Sequence, residues 1–153
     1  MHIVSKVSLV SFAALAIAGP ASAASTPVAT VEAFHAALGR GDTTAVLALL
    51  AEDVLILEEG GGESSRAEYA AHHLAADAAY AKATRGTVAR RTVKVAGDLA
   101  WVADEGRTTG QYKGKPVDRL TAETMVLRRA GDGWQVVHVH WSSRESPVKA
   151  KKS

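Results

Sequence analysis

The sequence predicts an α+β domain in which three N-terminal helices precede a curved antiparallel sheet and enclose a pocket. Apolar residues recur at helical spacing between residues 27 and 84, and a glycine turn separates the first two helices. From residue 87 onward, runs of alternating polarity are separated by turns rich in Gly and Asp. Helices followed by a run of strands are typical of the α+β class.

The helices are located by their N-terminal capping residues. Thr26 stands before Pro27, and a capping threonine followed by proline at the first helical position predicts the start of the first helix. Asp42 follows the turn at residues 39–41 and caps a second, shorter helix. The Ser65-Arg66-Ala67-Glu68 segment has the pattern of a capping box and opens a third, alanine-rich helix over residues 65–84.

One strand is predicted before the third helix and four after it. Residues 54–57 form a short apolar run ending at Glu58, and a flexible loop is predicted at residues 60–62. The remaining strands are predicted as an antiparallel meander over residues 87–96, 99–109, 118–129 and 134–143.

Residues 1–23 have the pattern of a bacterial signal peptide. Lys6 precedes an apolar run from Val7 to Ala18, and Ala21-Ser22-Ala23 fits the small-x-small cleavage pattern. The alternative is a membrane anchor, but the run is shorter than the roughly 20 apolar residues that a spanning helix needs. We therefore expect a periplasmic or secreted domain at residues 24–145, not stably associated with a membrane, and a disordered basic tail at residues 146–153.

The charge distribution and the residue inventory exclude several classes of function. Net charge is +2, but four lysines lie in the leader and tail, which leaves −2 for residues 24–148. No basic face is therefore expected for nucleic acid. With no cysteine in the chain, a disulfide scaffold and thiolate metal sites are excluded. No phosphate-binding loop is present either. We expect no cofactor.

The order of elements resembles that of the nuclear transport factor two-like superfamily. The segment GDGWQVVHVHWSS at residues 131–143 is similar to the last strand of these proteins, and especially to the association domain of calcium/calmodulin-dependent kinase type two. The segment ALGRGDTTAVLALLAEDVLI at residues 37–56 also looks like this superfamily, which includes SnoaL-like cyclases and ketosteroid isomerase. The resemblance covers residues 27–144 and implies a cone-shaped fold, a ligand between sheet and helices, and a homodimer formed through the opposite sheet face. It specifies fold better than function.

Either of the two faces of the last strand can line the predicted pocket. Residues two apart on a strand share a face, so His138 and His140 lie together, and Trp141 lies on the other face. The resemblance implies that Trp141, with Glu123 and Met125 from the preceding strand, faces the cavity. A bulge near Trp141 is the alternative that would return His140 to the pocket.

Glu123 and His140 are the catalytic candidates. Glu123 is flanked by apolar residues, which favours a general base or a ligand clamp. The alternative is a rim carboxylate paired with Arg91 or Arg107.

Ligand-binding candidates are Glu58, His73, Glu123, Met125, Trp141 and Arg144. Glu58 ends a strand beside the glycine loop, where a pocket rim and an exposed turn are both possible. His72 and His73 point about 100° apart on the helix, so only one can face a given site. Arg144 either clamps an anion or ends the strand in solvent.

Three functions stay open at this point. The first is an exported small-molecule-binding domain. The second is an acid–base enzyme, an isomerase, dehydratase or cyclase, for which Tyr69 or Tyr80 could supply a phenol. The third is a metal binder that combines the histidines with Glu58, Glu63 or Glu123, although no recognised metal motif is present.

Overall fold

The computed structural model describes residues 25–147. The predicted signal peptide and residues 148–153 of the predicted tail lie outside the described residues. No helix of the described part is long and apolar enough to cross a membrane.

Four helices form one layer of the fold: α1 (Pro27–Arg40), α2 (Thr43–Leu49), α3 (Arg66–His72) and α4 (Leu74–Ala83). The predicted caps are confirmed, because the side chains of Thr26, Asp42 and Ser65 each accept a hydrogen bond from the backbone three residues later.

The prediction of one helix over residues 65–84 is wrong, since His73 divides it. His73 lies between the two helices with φ −111°, and its ring contacts Glu63. The break lets α4 turn Leu74 and Ala78 into the core.

The second layer is a six-stranded sheet: β1 (Leu50–Glu58), β2 (Gly61–Glu63), β3 (Thr84–Ala96), β4 (Leu99–Tyr112), β5 (Lys115–Ala130) and β6 (Gly133–Glu145). The spatial order is β2-β1-β6-β5-β4-β3, and the predicted meander is confirmed as β3 to β6. The sheet is not wholly antiparallel, because β1 pairs with β6 in parallel. The predicted glycine loop is also partly wrong: Gly61 and Gly62 pair with β1 as strand β2.

Register shifts between paired strands accompany the curvature of the sheet. The β3–β4 register shifts between Val88 and Arg90, and the β5–β6 register shifts so that Val137 has no partner on β5. A bulge bends its strand and increases the local twist. The sheet curls around the helices, and the core between the two layers is centred on Phe34, Leu50, Tyr69, Met125 and Leu127.

The opposite, convex face of the sheet is not covered by any described element. Alternation along the strands places Leu55, Leu99 and Trp101 there, and all three are exposed. This face therefore presents apolar surface outside the core.

Candidate functional site

Five strands bring one polar row together across the concave face. In register, Glu58 of β1 lies opposite Trp141 of β6, which lies opposite Glu123 of β5. Glu123 lies opposite Asp104 of β4, which in turn lies opposite Arg91 of β3. The row faces the helices because its neighbours on β4 and β5, such as Val102 and Met125, are buried against them.

Glu123 is at the centre of this row and is nearly withdrawn from water. Its side chain is 9% exposed. The indole N–H of Trp141 donates to Oε2 at 2.5 Å, and Nε2 of His35 lies 3.0 Å from Oε1. Both carboxylate oxygens therefore have a partner, as a buried charge requires.

His35 reaches Glu123 from α1 and was not among the predicted site residues. Burial of the ring works to lower its pKa, but the hydrogen bond with Glu123 and the charges of Glu123 and Asp104 outweigh burial, so the pKa of His35 is raised. A signal was available, because His35 recurs with Val31, Phe34 and Leu38 in the apolar pattern of the first helix.

Asp104 and Arg91 form the other half of the row. Arg91 donates through Nε and Nη2 to the two oxygens of Asp104, both at 2.8 Å, and through Nη1 to Glu32 of α1 at 2.7 Å. The hydrogen bonds with Asp104 raise the pKa of Arg91. Glu123 therefore does not form the ion pair with Arg91 or Arg107 that was the alternative prediction. Arg107 pairs with Asp118 instead.

A second polar group lies beyond Trp141, between β1 and the helices α3 and α4. The hydroxyl of Tyr69 donates to Oδ2 of Asp77 at 2.9 Å. Burial raises the pKa of Asp77, and burial with the nearby charge of Asp77 raises the pKa of Tyr69. Burial, helped by the charges of Asp77 and Glu59, also raises the pKa of Glu58. Carboxyl groups whose pKa is raised by burial are suited to proton transfer.

The wide end of the cone is an open cleft with a volume of about 860 Å³. Tyr80 of α4 and Tyr112 of β4 lie on it with their rings edge to face, 5.2 Å apart between centroids. Arg119 of β5 also lines it. Arg119 has the same strand parity as Glu123, so it belongs to the concave face.

The concave face carries Glu123, Met125 and Trp141, as the resemblance implied. The bulge lies at Val137 rather than near Trp141, and it turns Val139 and Trp141 inward after Val136. Glu58 is on the same face as Trp141. Met125 is fully buried in the core and so has no surface left for a ligand.

The other predicted site residues lie elsewhere. His140 is exposed on the convex face, paired in register with Thr124 and Leu57, so the structure does not bring it together with Glu123. Arg144 is also exposed on the convex face, opposite Leu120. His73 pairs with the buried Glu63 and lies near Glu58.

The histidines do not converge on a metal-binding arrangement in the described part of the chain. His138 lies on the convex face, where Nδ1 donates to the carbonyl of Leu55 at 2.9 Å. Within residues 25–147, no group of three or more His, Cys, Asp or Glu side chains is placed to hold a metal ion.

Solved structures share this fold. A candidate ketosteroid isomerase from Shewanella frigidimarina is 42% identical, with a TM-score of 0.73, over 79% of this chain and 95% of that one. A candidate dehydratase of the NTF2-like family from Streptomyces avermitilis is 25% identical, with a TM-score of 0.63, over 76% and 92% of the two chains. A candidate calcium/calmodulin-dependent protein kinase type II association domain from Thiobacillus denitrificans is 23% identical, with a TM-score of 0.67, over 82% and 100%. No curated protein matches the chain.

The family model of the SnoaL-like domain matches residues 28–145. The match covers all helices and strands except Pro27 at the start of α1. The chain belongs to the SnoaL-like domain family, on the NTF2-like cone fold that it shares with the candidate ketosteroid isomerase.

Proposed function

We propose that the protein binds a small organic molecule on the concave face of its sheet. The observation that carries the proposal is Glu123, a carboxylate that Trp141 and His35 hold in place next to the buried apolar core. Pockets of this kind combine apolar lining with a few oriented polar groups.

The test is mass spectrometry of what co-purifies with the protein. We expect a small organic molecule that is released on denaturation and is lost or reduced in Glu123→Gln. An identical small-molecule profile in the wild type and in Glu123→Gln would argue against a ligand held by this carboxylate.

An acid–base enzyme is the second candidate, and the group around Asp77 favours it. Glu58 and Asp77 both have raised pKa values, and the Tyr69 hydroxyl is fixed on Asp77. Removal of a proton next to a carbonyl needs a base and hydrogen-bond donors for the oxygen that gains charge. Glu58 or Glu123 would supply the base. His35, which contacts Glu123, would take the catalytic role that was predicted for His140.

The relative that is 42% identical is a candidate ketosteroid isomerase, so a β,γ-unsaturated 3-ketosteroid is the first substrate to test. Isomerisation produces a conjugated enone, which is followed by its ultraviolet absorbance. Glu58→Gln and Glu123→Gln should each lower the rate by two or more orders of magnitude if the residue is the base. A rate that neither substitution changes would exclude both as the base.

We propose that the domain is exported, on the strength of the signal-peptide pattern in residues 1–23. The expected result is a periplasmic or secreted protein whose intact mass begins at Ala24. A cytoplasmic protein that retains residues 1–23 would contradict this.

A homodimer through the convex face is proposed from its exposed apolar residues, including Leu55, Leu99 and Trp101. Association domains are among the proteins of similar structure, which supports an oligomer. Trp101→Glu should convert the dimer to a monomer in light scattering. Val95→Glu is the matched control, because Val95 is exposed but lies opposite Ala100, on the concave side.

A further inference from the structure

The cleft at the wide end of the cone contains an arginine that is held but not neutralised. Nε of Arg119 donates to Oγ of Ser143 at 2.8 Å, and Nη2 donates to the Ser143 carbonyl at 3.2 Å. Among residues 25–147, Arg119 forms no ion pair, and its Nη1 has no hydrogen-bond partner. Ser143 thus fixes the plane of the guanidinium and leaves its charge available.

The other arginine of the cleft, Arg107, forms an ion pair. Arg107 donates through Nε and Nη2 to both oxygens of Asp118, each at 2.6 Å. Glu145 lies opposite Arg119 in register but is not within ion-pairing distance of it. With Lys115 included, the cleft has three cationic against two acidic side chains, and Arg119 is the arginine turned toward the concave face.

Two tyrosines complete the cleft beside Arg119. The rings of Tyr80 and Tyr112 pack edge to face, and Lys113 lies 5.1 Å from the centre of the Tyr112 ring. Arg119 and Tyr80 line the same cleft, and the positive charge of Arg119 acts to lower the pKa of Tyr80 against a larger rise from burial. A flat ring next to the tyrosines would therefore place an attached anionic group within reach of Arg119.

We propose that this cleft recognises a small organic anion with a planar ring, whose carboxylate pairs with Arg119 while the ring packs on Tyr80 and Tyr112. The inference rests on the proposed small-molecule function and names the class of ligand. Arg119 lies on the same face of β5 as Glu123, and the proposal directs the uncharged end of the ligand along this face.

The test compares acids with their neutral amides. Cinnamate and cinnamamide, and benzoate and benzamide, are titrated into ¹⁵N-labelled protein, and binding is followed by the backbone amide shifts of Tyr80, Tyr112 and Arg119. We expect each acid to bind at least tenfold more tightly than its amide, and to lose about tenfold in affinity in Arg119→Gln. Arg119→Lys keeps the charge without the planar fork and should lose less than Arg119→Gln.

Arg144→Gln is the matched control, because Arg144 is near the end of the same sheet but exposed on the convex face. It should bind the acids as the wild type does. The amide spectrum of each variant shows whether it is folded. If Arg119→Gln does not fold, Arg119→Lys tests the proposal in its place.

Equal binding of acid and amide, binding of neither, or equal losses in Arg119→Gln and Arg144→Gln would overturn the inference. The proposed function fails on a different result, namely a co-purified small-molecule profile that Glu123→Gln leaves unchanged. A neutral co-purified ligand that depends on Glu123 would leave the proposed function intact and remove the anionic subsite.

Discussion

Trp141 donates its indole N–H to Glu123 across the β5–β6 pair, while His35 reaches the other carboxylate oxygen from α1. The two contacts bring the helix layer and the sheet layer together at one carboxylate that is 9% exposed. Because so little water reaches Glu123, its hydrogen bonds come from these two side chains. The orientation of the carboxylate is therefore set before any ligand arrives.

Removal of the Trp141 donor should destabilise the protein. In Trp141→Phe an aromatic ring is kept beside Phe34, but Oε2 of Glu123 loses its hydrogen bond. A buried polar group left without a partner costs about 1–3 kcal/mol. We expect a loss of that size in the free energy of unfolding measured with urea.

The control is the same substitution in a Glu123→Leu background, where no carboxylate is left to satisfy. There the effect of Trp141→Phe should fall to the packing contribution alone, and the difference between the backgrounds gives the coupling of the pair. Equal effects in both backgrounds would mean that the hydrogen bond adds nothing.

The contribution of His35 to stability should depend on pH. Its pKa is raised in the folded protein, so folding favours the protonated ring. The stabilisation is fully present below the unfolded pKa of about 6.5 and is lost as the pH rises through the folded value. The difference in unfolding free energy between wild type and His35→Gln should therefore shrink as the pH rises from 5 to 9.

An NMR titration of the His35 ring checks the cause directly. The pKa should lie above the ordinary value in the wild type and fall in Glu123→Gln, which removes the hydrogen-bonded charge. A pKa that does not change on this substitution would contradict the assignment of Glu123 as the partner.

The pH dependence of stability that Asp77 causes should be opposite to that of a carboxylate whose pKa is lowered by folding. Burial raises its pKa, so ionisation of Asp77 opposes folding above that pKa. Asp77→Asn keeps an oxygen that can accept from Tyr69 and removes the ionisation. The variant should therefore melt at a higher temperature than the wild type at pH 7, with the advantage disappearing as the pH falls through the folded pKa toward the unfolded value.

Asp53→Asn is the matched control, because the hydrogen bond with Arg128 lowers the pKa of Asp53. That stabilisation is present above the unfolded pKa and is lost as the pH falls through the folded one, so Asp53→Asn should lower the melting temperature at pH 7. If Asp77→Asn also lowers it, burial is not the dominant influence on Asp77.

Local patterns predicted much of the fold. The caps at Thr26, Asp42 and Ser65 depend on neighbouring residues alone, and so do the turns of the meander. The break at His73 and the strand at Gly61 were missed because their own residue types do not signal them. His73 contacts Glu63 ten residues earlier, and Gly61 and Gly62, although typical of a loop, pair with β1 across a tight turn.

The site could be predicted only in part from strand parity. Residues two apart on a strand share a face, which grouped Glu123 with Met125. The resemblance to the superfamily then placed Trp141 on the same face of the sheet. The position of the Val137 bulge, which decides where parity changes, left no local signal, since valine is an ordinary strand residue. His35 required the packing of α1 across the sheet, which a single sequence does not reveal.

Gly106 should not tolerate a side chain, because β3 approaches it too closely. A Cβ atom at Gly106 would lie 2.3 Å from the carbonyl oxygen of Thr87, a backbone atom beside the bulge in β3. The strand must move to relieve this contact, and overpacking of this kind costs about 1–3 kcal/mol. Gly106→Ala should therefore lower the urea midpoint clearly.

Gly86→Ala on β3 is the comparison, since a Cβ there meets nothing within 4 Å. Its effect should stay within about 0.5 kcal/mol, as for other open surface positions. Because Gly106 lies opposite Thr121 on the concave face, a shift of β3 would also disturb the adjacent Arg91–Asp104 pair. If the two alanine variants unfold at the same urea concentration, the close approach of β3 to β4 does not constrain this part of the cone.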